Sequence, residues 1–542
     1  MTGLTRKITT MCCLMTVFSG CDNIENTSLK ENSIIYCAEG SPESFNPQTV
    51  TSGTTIDTTA KHLYDRLITF KKDDNSIMPS IAKSWHVTKD GKRITFYLRK
   101  NVAFHQTKYF SPSRTLTADD VLFSFNRILD SQHDFHSVSG AKYPFFQSVK
   151  FRDLVQSIEK INDHTIRFTL NRADSSFLSN IASDYAVILS KEYAQQLASN
   201  KQHQQIDLMP IGTGPYKLQE YRPGSLIRYY PHQSYWRGSS QLSQLLFDIT
   251  PSNTGRLTKL LTGDCDVIAY PIAHEKIRER EDLVLESVTS FNVGYLGFNT
   301  KKPPFDNLLV RKAIAYAVNK QAIIDTVYFG EAEQAKSILP TNSWAHDKNA
   351  KGIEFSIAKA RDLLKDAGYP EGFTMDIWAM PVQRAYNPNA LTMAKLLQAD
   401  LKQIGVQVNI VSYEWSAFLR RLSLGEHQSV LLGWSADHPD PDNFFTPLLS
   451  CDTSSSTSNR VFWCNEQFDD TLRAARSTTN INLRKKYYKD ALAIIDTEVP
   501  LVPIAHSKRF QARHKNIEGD LLNALGGIDF SDVSKLSAVS EE

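Results

Sequence analysis

Between residues 373 and 434 the spacing of apolar residues changes from strand to helix and back to strand, and this switch restricts the fold more than any other feature of the chain. The stretch FTMDIWAM reads as a strand. From Ala390 to Ile404, Met393, Leu397, Leu401 and Ile404 fall on one helical face, and Gly405 stops the helix. Val406, Val408 and Ile410 then alternate as a second strand. Such a β-α-β run predicts an α/β lobe with a partly parallel sheet.

Other segments add elements to this lobe or to another. Ser33 to Cys37 reads as a strand. SPESFNPQTVTSGTT follows as a loop exposing backbone N–H groups, before a helix through Ile56, Ala60, Leu63 and Tyr64. WHVTKDGKRITFYL predicts a hairpin about its D-G turn, with Ile94, Phe96 and Leu98 on one face. TADDVLFSFNRILD (117–130) opens with a T-x-x-D capping box and continues at helical spacing. FDNLLVRKAIAYAVNKQAII (305–324) and SIAKARDLLKDAG (356–368) share that period. A chain of 542 residues can bury at least two sizeable cores. Its 61 Lys and Arg against 59 Asp and Glu form no basic block, so nucleic acid is not an expected partner.

Arg6 and Lys7 precede an apolar and small-residue run, Met11 to Gly20, that is too short to span a bilayer. Residues 1–20 therefore read as an export signal. VFSGC resembles a bacterial lipoprotein cleavage box, with Cys21 lipidated, Asp22 resembling an inner-membrane retention signal and residues 21–32 forming a polar tether. Phe18 stands where the box usually has Leu, so ordinary cleavage nearby is the rival. Without residues 1–20 the chain has 59 residues of each charge and no long apolar run, so membrane contact is expected only through the lipid. Cys12 and Cys13 leave with the signal. The remaining four, Cys37, Cys265, Cys451 and Cys464, allow three pairings. A thirteen-position spacing around the polar DTSSSTSNR favours Cys451 with Cys464, which leaves Cys37 with Cys265. A metal site is the other use of four cysteines, but no C-x-x-C is present, and neither a metal nor another cofactor is expected.

Four stretches, in order, resemble the large family 5 peptide-binding proteins of bacterial ABC importers: IAKSWHVTKDGKRITFYLRKNVAFH (81–105), TADDVLFSFNRI (117–128), PIGTGPYKL (210–218) and FDNLLVRKAIAYAVNK (305–320). The resemblance covers about residues 33–533. CAEGSPESFNPQTVTSGTT, AMPVQRAYNPNA and GWSADHPDPDNFF look like the dipeptide-binding members. TGRLTKLLTGDCDVIAYP looks like the Sap-type members associated with antimicrobial-peptide resistance. The resemblance implies a two-lobed α/β clamp with mixed sheets. Lobe one would comprise residues 33–290 plus 508–535, with lobe two, 291–507, inserted in it and 536–542 left as a tail. It also implies the two disulfide pairs named above. The implied setting is the periplasm of a Gram-negative bacterium, as a monomer that hands short peptides to the membrane permease subunits of an importer whose ATPases are separate chains.

A short peptide carries an ammonium, a carboxylate and an extended backbone, so its receptor needs an acid, a guanidinium and free backbone hydrogen-bonding groups. The resemblance matches Asp437 to the acid and Arg384 to the guanidinium, whose planar fork suits a carboxylate. It matches Tyr386 and Trp415 to the lining of that pocket, and Ser52, Gly53 and Thr54 to main-chain contacts. Trp434 stands beside the acid. Each has a plainer reading. DHPDPD is ordinarily a solvated acidic turn, Arg384 a surface ion-pair partner, and Trp415, Trp434 and Tyr386 core. A calcium loop needs Gly at its sixth position and Glu at its twelfth, which this string lacks. GTGP (212–215) has no phosphate-loop lysine and reads as a tight turn. No H-E-x-x-H or G-x-S-x-G is present. The expectation is a non-enzymatic carrier of short peptides, dipeptides first. A Sap-like antimicrobial-peptide binder and a haem carrier are alternatives within the family, and an exported hydrolase is the second class.

Overall fold

The computed structural model describes residues 32–451 and 459–536, except for the side chain of Ser416. The expected export signal, Cys21, nearly all of the tether and residues 537–542 of the tail lie outside the described residues. Among them, ten strands form one hydrogen-bonded path: Gln407–Val411, Thr374–Ala379, Ser429–Ser435, Asn292–Phe298, Leu501–His514, Val267–Ala269, Ser33–Ala38, Gln244–Ile249, Leu226–Pro231 and Tyr216–Arg222. Leu283–Thr289 and Ala332–Gln334 pair with Leu501–His514 beside that path. The expected β-α-β run is present. Thr374–Ala379 is parallel to both Gln407–Val411 and Ser429–Ser435, and helix Ala390–Lys402 buries Met393, Leu397 and Leu401.

Apolar side chains collect into two large cores and one small one. The first draws on residues 34–269 and 517–533, the second on residues 291–505, and the small one surrounds the bonded Cys37–Cys265 pair. Cys451 is bonded to Cys464. The 14-residue strand Leu501–His514 runs from the second large core, where Leu501, Val502, Ile504 and Ala505 are buried, to the small core, which takes Ala512. Its first half pairs with Asn292–Phe298 and its second with Leu283–Thr289, so residues 283–298 and 501–514 cross side by side. Where the partner changes, the Asn292 side-chain amide donates to the Ser507 hydroxyl (2.9 Å) and accepts from the Ser507 N–H (2.9 Å). Such a two-strand passage is the geometry of a clamp with a hinge.

The hairpin Ala82–Val87 and Arg93–Leu98 forms as expected, with Ile94, Phe96 and Leu98 buried. The helix Ala118–Leu129 has its Thr117–Asp120 capping box. Two expectations need correction. The 305–324 run is two helices, Leu308–Tyr316 and Lys320–Val327, because the side chain of Asn319 accepts from the Ala322 N–H and begins a new helix inside the apolar pattern. The expected helix through Tyr64 instead runs Gly53–Thr59, so Gly53 and Thr54 lie in its first turn and not in a loop. Its extension is blocked by the GTGP segment. The Gly214 N–H donates to the Leu63 carbonyl (3.1 Å) and the Tyr216 N–H to the His62 carbonyl (2.9 Å). A Cβ on Gly212 would lie 1.9 Å from the Leu63 oxygen, so this backbone approach requires glycine. Among the described residues no helix is long and apolar enough to cross a membrane.

Candidate functional site

The second lobe's parallel strands end at two loops that carry the expected ligand groups. Asp437 stands two residues past Ser429–Ser435 and opens DHPDPD. The string is not a solvated turn, since each of its carboxylates has its own partners. Asp440 is buried and accepts twice from Arg484 (both 2.8 Å) and once from the Tyr488 hydroxyl (3.2 Å). Asp442 pairs with Arg476 (3.0 Å). Asp437 differs: no cation lies within 4 Å of its carboxylate among the described residues. Its oxygens accept from the Tyr185 hydroxyl (3.1 Å), which comes from the first lobe, and from the Asn443 amide (3.2 Å). Burial pushes its pKa up to about 6, the two hydrogen bonds pull against this, and the charge of Asp184 adds to it.

Asn443 organises this corner. Its oxygen accepts from the Asp437 N–H (2.9 Å) and from the Trp434 indole (3.0 Å), so Trp434 holds the loop that carries the acid.

Arg384 and Tyr386 lie on a tight turn beyond Thr374–Ala379. The Arg384 N–H donates to the Asn387 carbonyl (3.1 Å), and the Asn387 N–H donates back to the Arg384 carbonyl (3.0 Å). The guanidinium lies over the Trp415 ring, 5.5 Å from its centroid, and donates to the Gln383 carbonyl (2.8 Å). Among the described residues no carboxylate lies within 4 Å of it. The turn rests on two glycines paired across neighbouring strands, Gly294 and Gly433. A Cβ on Gly433 would sit 2.3 Å from Tyr386 Cδ2, and one on Gly294 would sit 2.3 Å from the Tyr386 carbonyl oxygen. That carbonyl also accepts from the Tyr328 hydroxyl (2.7 Å).

On the first lobe, Ser52 is the N-cap residue of Gly53–Thr59, whose leading N–H groups have no acceptor within the helix. The Thr54 hydroxyl donates to Glu39 (3.2 Å). Behind it, burial raises the pKa of Asp57 to about 6 against the pull of Arg509. Tyr270 lies close enough to feel Glu39, Asp57, Arg509 and, across the lobes, Arg384, and burial holds its phenol well above the usual range. The Asn253 amide donates to Gln383 (2.8 Å), the neighbour of Arg384.

Asp437, Trp434 and Tyr386 are thus brought together through Asn443 and Gly433, and Arg384 is joined to Trp415. Among the described residues no hydrogen bond links Ser52, Gly53 or Thr54 to the second lobe. Sequence reasoning missed Tyr185, Asn443, Gly294 and Gly433. A lone glycine within a strand marks close backbone approach, so the two glycines carried a usable signal. An acid without a cation and a guanidinium without a carboxylate on one lobe can receive an amine and a carboxylate. Among the described residues no group of three or more His, Cys, Asp or Glu could hold a metal ion.

Comparison with known proteins agrees with this architecture. The family model for bacterial extracellular solute-binding proteins, family 5 (middle), matches residues 76–456. The dipeptide-binding protein of Escherichia coli (strain K12) is 43% identical over 509 residues, covering 94% of this chain and 95% of that one. The peptide transport periplasmic protein SapA of Salmonella typhimurium (strain LT2) is 41% identical over 512 residues, covering 94% and 93%. The crystal structure of a dipeptide binding protein from Pseudoalteromonas sp. SM9913, in complex with Met-Leu, superposes with a TM-score of 0.86 at 48% identity over 93% of this chain and all of that one. With two cores, paired crossover strands and relatives matched over nearly their whole length, the chain belongs to the two-lobed bacterial extracellular solute-binding proteins of family 5.

Proposed function

We propose that this protein is the periplasmic receptor of a peptide importer and that it encloses short peptides, dipeptides first, between its lobes. One observation carries the reading. Asp437, without a cation, and Arg384, without a carboxylate, stand at the ends of neighbouring parallel strands of one lobe, where a zwitterion of limited length meets both. Asp437 takes the ammonium, Arg384 the C-terminal carboxylate, and the Ser52–Thr54 helix start the backbone. Tyr386, Trp415 and Trp434 shape the walls. The lobes divide near residues 290 and 508, supported by the core change at those positions. The carrier does not turn its ligand over, and it is held at the inner membrane by lipid on Cys21.

Calorimetry with di-, tri- and pentapeptides, free and C-terminally amidated, tests this on wild type, Asp437→Ala and Arg384→Ala. A longer chain must bulge or strand a buried charge. Stranding costs about 3–5 kcal/mol, and about 1.4 kcal/mol is tenfold in affinity, so selection against pentapeptides exceeds about a hundredfold. Asp437→Ala abolishes binding. Arg384→Ala weakens free dipeptides and spares amidated ones. Equal affinity for dipeptides and long cationic peptides, insensitive to Arg384→Ala, would establish the Sap-like reading in its place. Intact mass and detergent partitioning test the lipid, and a product beginning beyond residue 21 would refute it.

A further inference from the structure

The lobes also meet at a point where none of the proposed ligand groups lies. In lobe one, the loop between strand Thr165–Leu170 and helix Phe177–Ala182 lays residues 174 and 175 against the carboxyl end of the lobe-two helix Glu466–Arg476. The Ser175 N–H donates to the Arg476 carbonyl (2.8 Å), and its hydroxyl donates to the Ala475 carbonyl (3.4 Å). The last carbonyls of a helix lack donors of their own. Here the other lobe supplies the donor to the Arg476 carbonyl, while the Ala475 carbonyl also accepts from Arg484 Nε (3.2 Å) within lobe two.

The side chains add a charge bridge. Arg476 is held within lobe two by Asp442 (3.0 Å) and the Thr446 hydroxyl, and its Nε lies 3.8 Å from Asp174 Oδ2 in lobe one. The three charged side chains are only 5% (Asp174), 16% (Arg476) and 11% (Asp442) exposed. Asp174 uses its other oxygen to accept from the Ser176 N–H (3.0 Å) and hydroxyl (2.6 Å), so the loop keeps its form without the bridge. Arg476 keeps Asp442 when the lobes part, and opening leaves no cation stranded. Asp442 opens the helix Asp442–Leu449, which follows directly on the loop from Asp437 assigned to the ammonium.

We propose that Asp174 and Arg476 form an interlobe latch that sets how long the closed clamp retains its ligand, acting through the Asp437–Asn443 loop and touching no ligand atom. The proposal rests on the peptide-clamp reading. Because ligand enters the open clamp and the latch forms on closure, it acts on dissociation and leaves association unchanged.

Asp174→Asn removes the charge and keeps the acceptor for Ser176. Arg476→Lys keeps a cation for Asp442 and loses the reach of Nε. Stopped-flow binding of the dipeptide Ala-Phe should show koff about tenfold faster in each variant with kon within about twofold of wild type. The double variant should be no worse than the worse single one, because the two residues act as a pair. The closed fraction of ligand-free protein, read by FRET between labels on the two lobes, should fall by the same factor. Unchanged koff in Asp174→Asn, or additive effects in the double variant, would overturn the latch. If wild type binds no Ala-Phe or other peptide, the peptide reading fails separately. The ligand-free FRET comparison then decides the latch, and an unchanged closed fraction overturns it.

Discussion

If Asp437 receives the peptide ammonium, binding must follow its titration. Burial lifts the carboxyl to about 6, while the Tyr185 and Asn443 hydrogen bonds and the nearby charge of Asp184 pull in opposite directions. Only the ionised form attracts an ammonium, and the bound ammonium in turn stabilises that form. The observed Kd should therefore sit on a plateau near pH 7 and rise as pH falls through 6. For one group the factor is one plus the ratio of proton concentration to the acid constant, about elevenfold at pH 5. A carboxyl at its ordinary value near 3.9 would give a change of about a tenth over the same interval. Above the plateau the α-amino group of the peptide, near 7.7–8.0, loses its proton and affinity falls again. Calorimetry with one dipeptide from pH 5 to 9, in buffers of differing ionisation enthalpy, gives both the curve and the proton uptake. Asp437→Asn should bind weakly and lose the acid limb. A wild-type Kd constant within about twofold between pH 5 and 7 would refute the raised carboxyl as the group that sets affinity, and Asp437→Asn binding as tightly as wild type would refute the assignment of the ammonium to this acid.

Gly433→Ala places a methyl 2.3 Å from Tyr386 Cδ2. It should cost about 1–3 kcal/mol by overpacking and weaken dipeptides by shifting the Arg384 turn, as measured by urea unfolding and calorimetry. Asp440→Asn leaves the buried Arg484 without its carboxylate and should cost about 3–5 kcal/mol in the same unfolding assay; replacing both residues with apolar ones of similar size should restore most of that. The affinity ratio of dipeptide to pentapeptide should stay within about twofold of wild type in Asp174→Asn although both bind less tightly, because the latch governs closure and not length; a changed ratio in paired titrations would contradict this.

Much of this architecture could be read from the chain because local pattern and packing agree. In Thr374–Ala379, helix Ala390–Lys402 and Gln407–Val411 the apolar spacing and the stopping glycine coincide with the buried faces. The long strand Leu501–His514 has no such clarity. It passes from the second large core to the small one, and after Ala505 its buried residues include His506, Ser507 and Gln511 among charged neighbours, so neither alternation nor an apolar run continues. The site has the same limitation. Which acid of DHPDPD lacks a cation depends on Arg484, 44 positions from Asp440, and Arg476, 34 positions from Asp442. Tyr185, which reaches Asp437 from the other lobe, is 252 positions away. Residue type and family resemblance located the acid, but the partners that make it different from its neighbours are properties of the folded chain.

The placement of the two proposed ligand groups would separate what the clamp measures from what it holds. Asp437 and Arg384 both extend from the second lobe, past strands that pair in parallel through Ile377 and Ser429, Trp378 and Val430, and Ala379 and Leu431. The strands that lead to them lie roughly 4.8 Å apart, and the Arg384 turn is seated through Tyr386 on Gly294 and Gly433. If the second lobe moves as one body, the separation of the two groups does not change when the clamp opens. The hinge touches the Arg384 turn where the Ser507 hydroxyl donates to the Ala385 carbonyl (2.7 Å) while its own oxygen is held by Asn292, and it touches the stretch before Asp437 where the Ala436 N–H donates to the Phe291 carbonyl (2.8 Å). The first lobe contributes what encloses the ligand: the Tyr185 hydroxyl on Asp437, the Ser52–Thr54 helix start, and Asp174 on Arg476. On the proposed reading a peptide is measured by one lobe before the other closes on it. A ligand of the wrong length would then fail at the first step, and one of the right length would be released at a rate set by the proposed Asp174–Arg476 latch, which does not touch it.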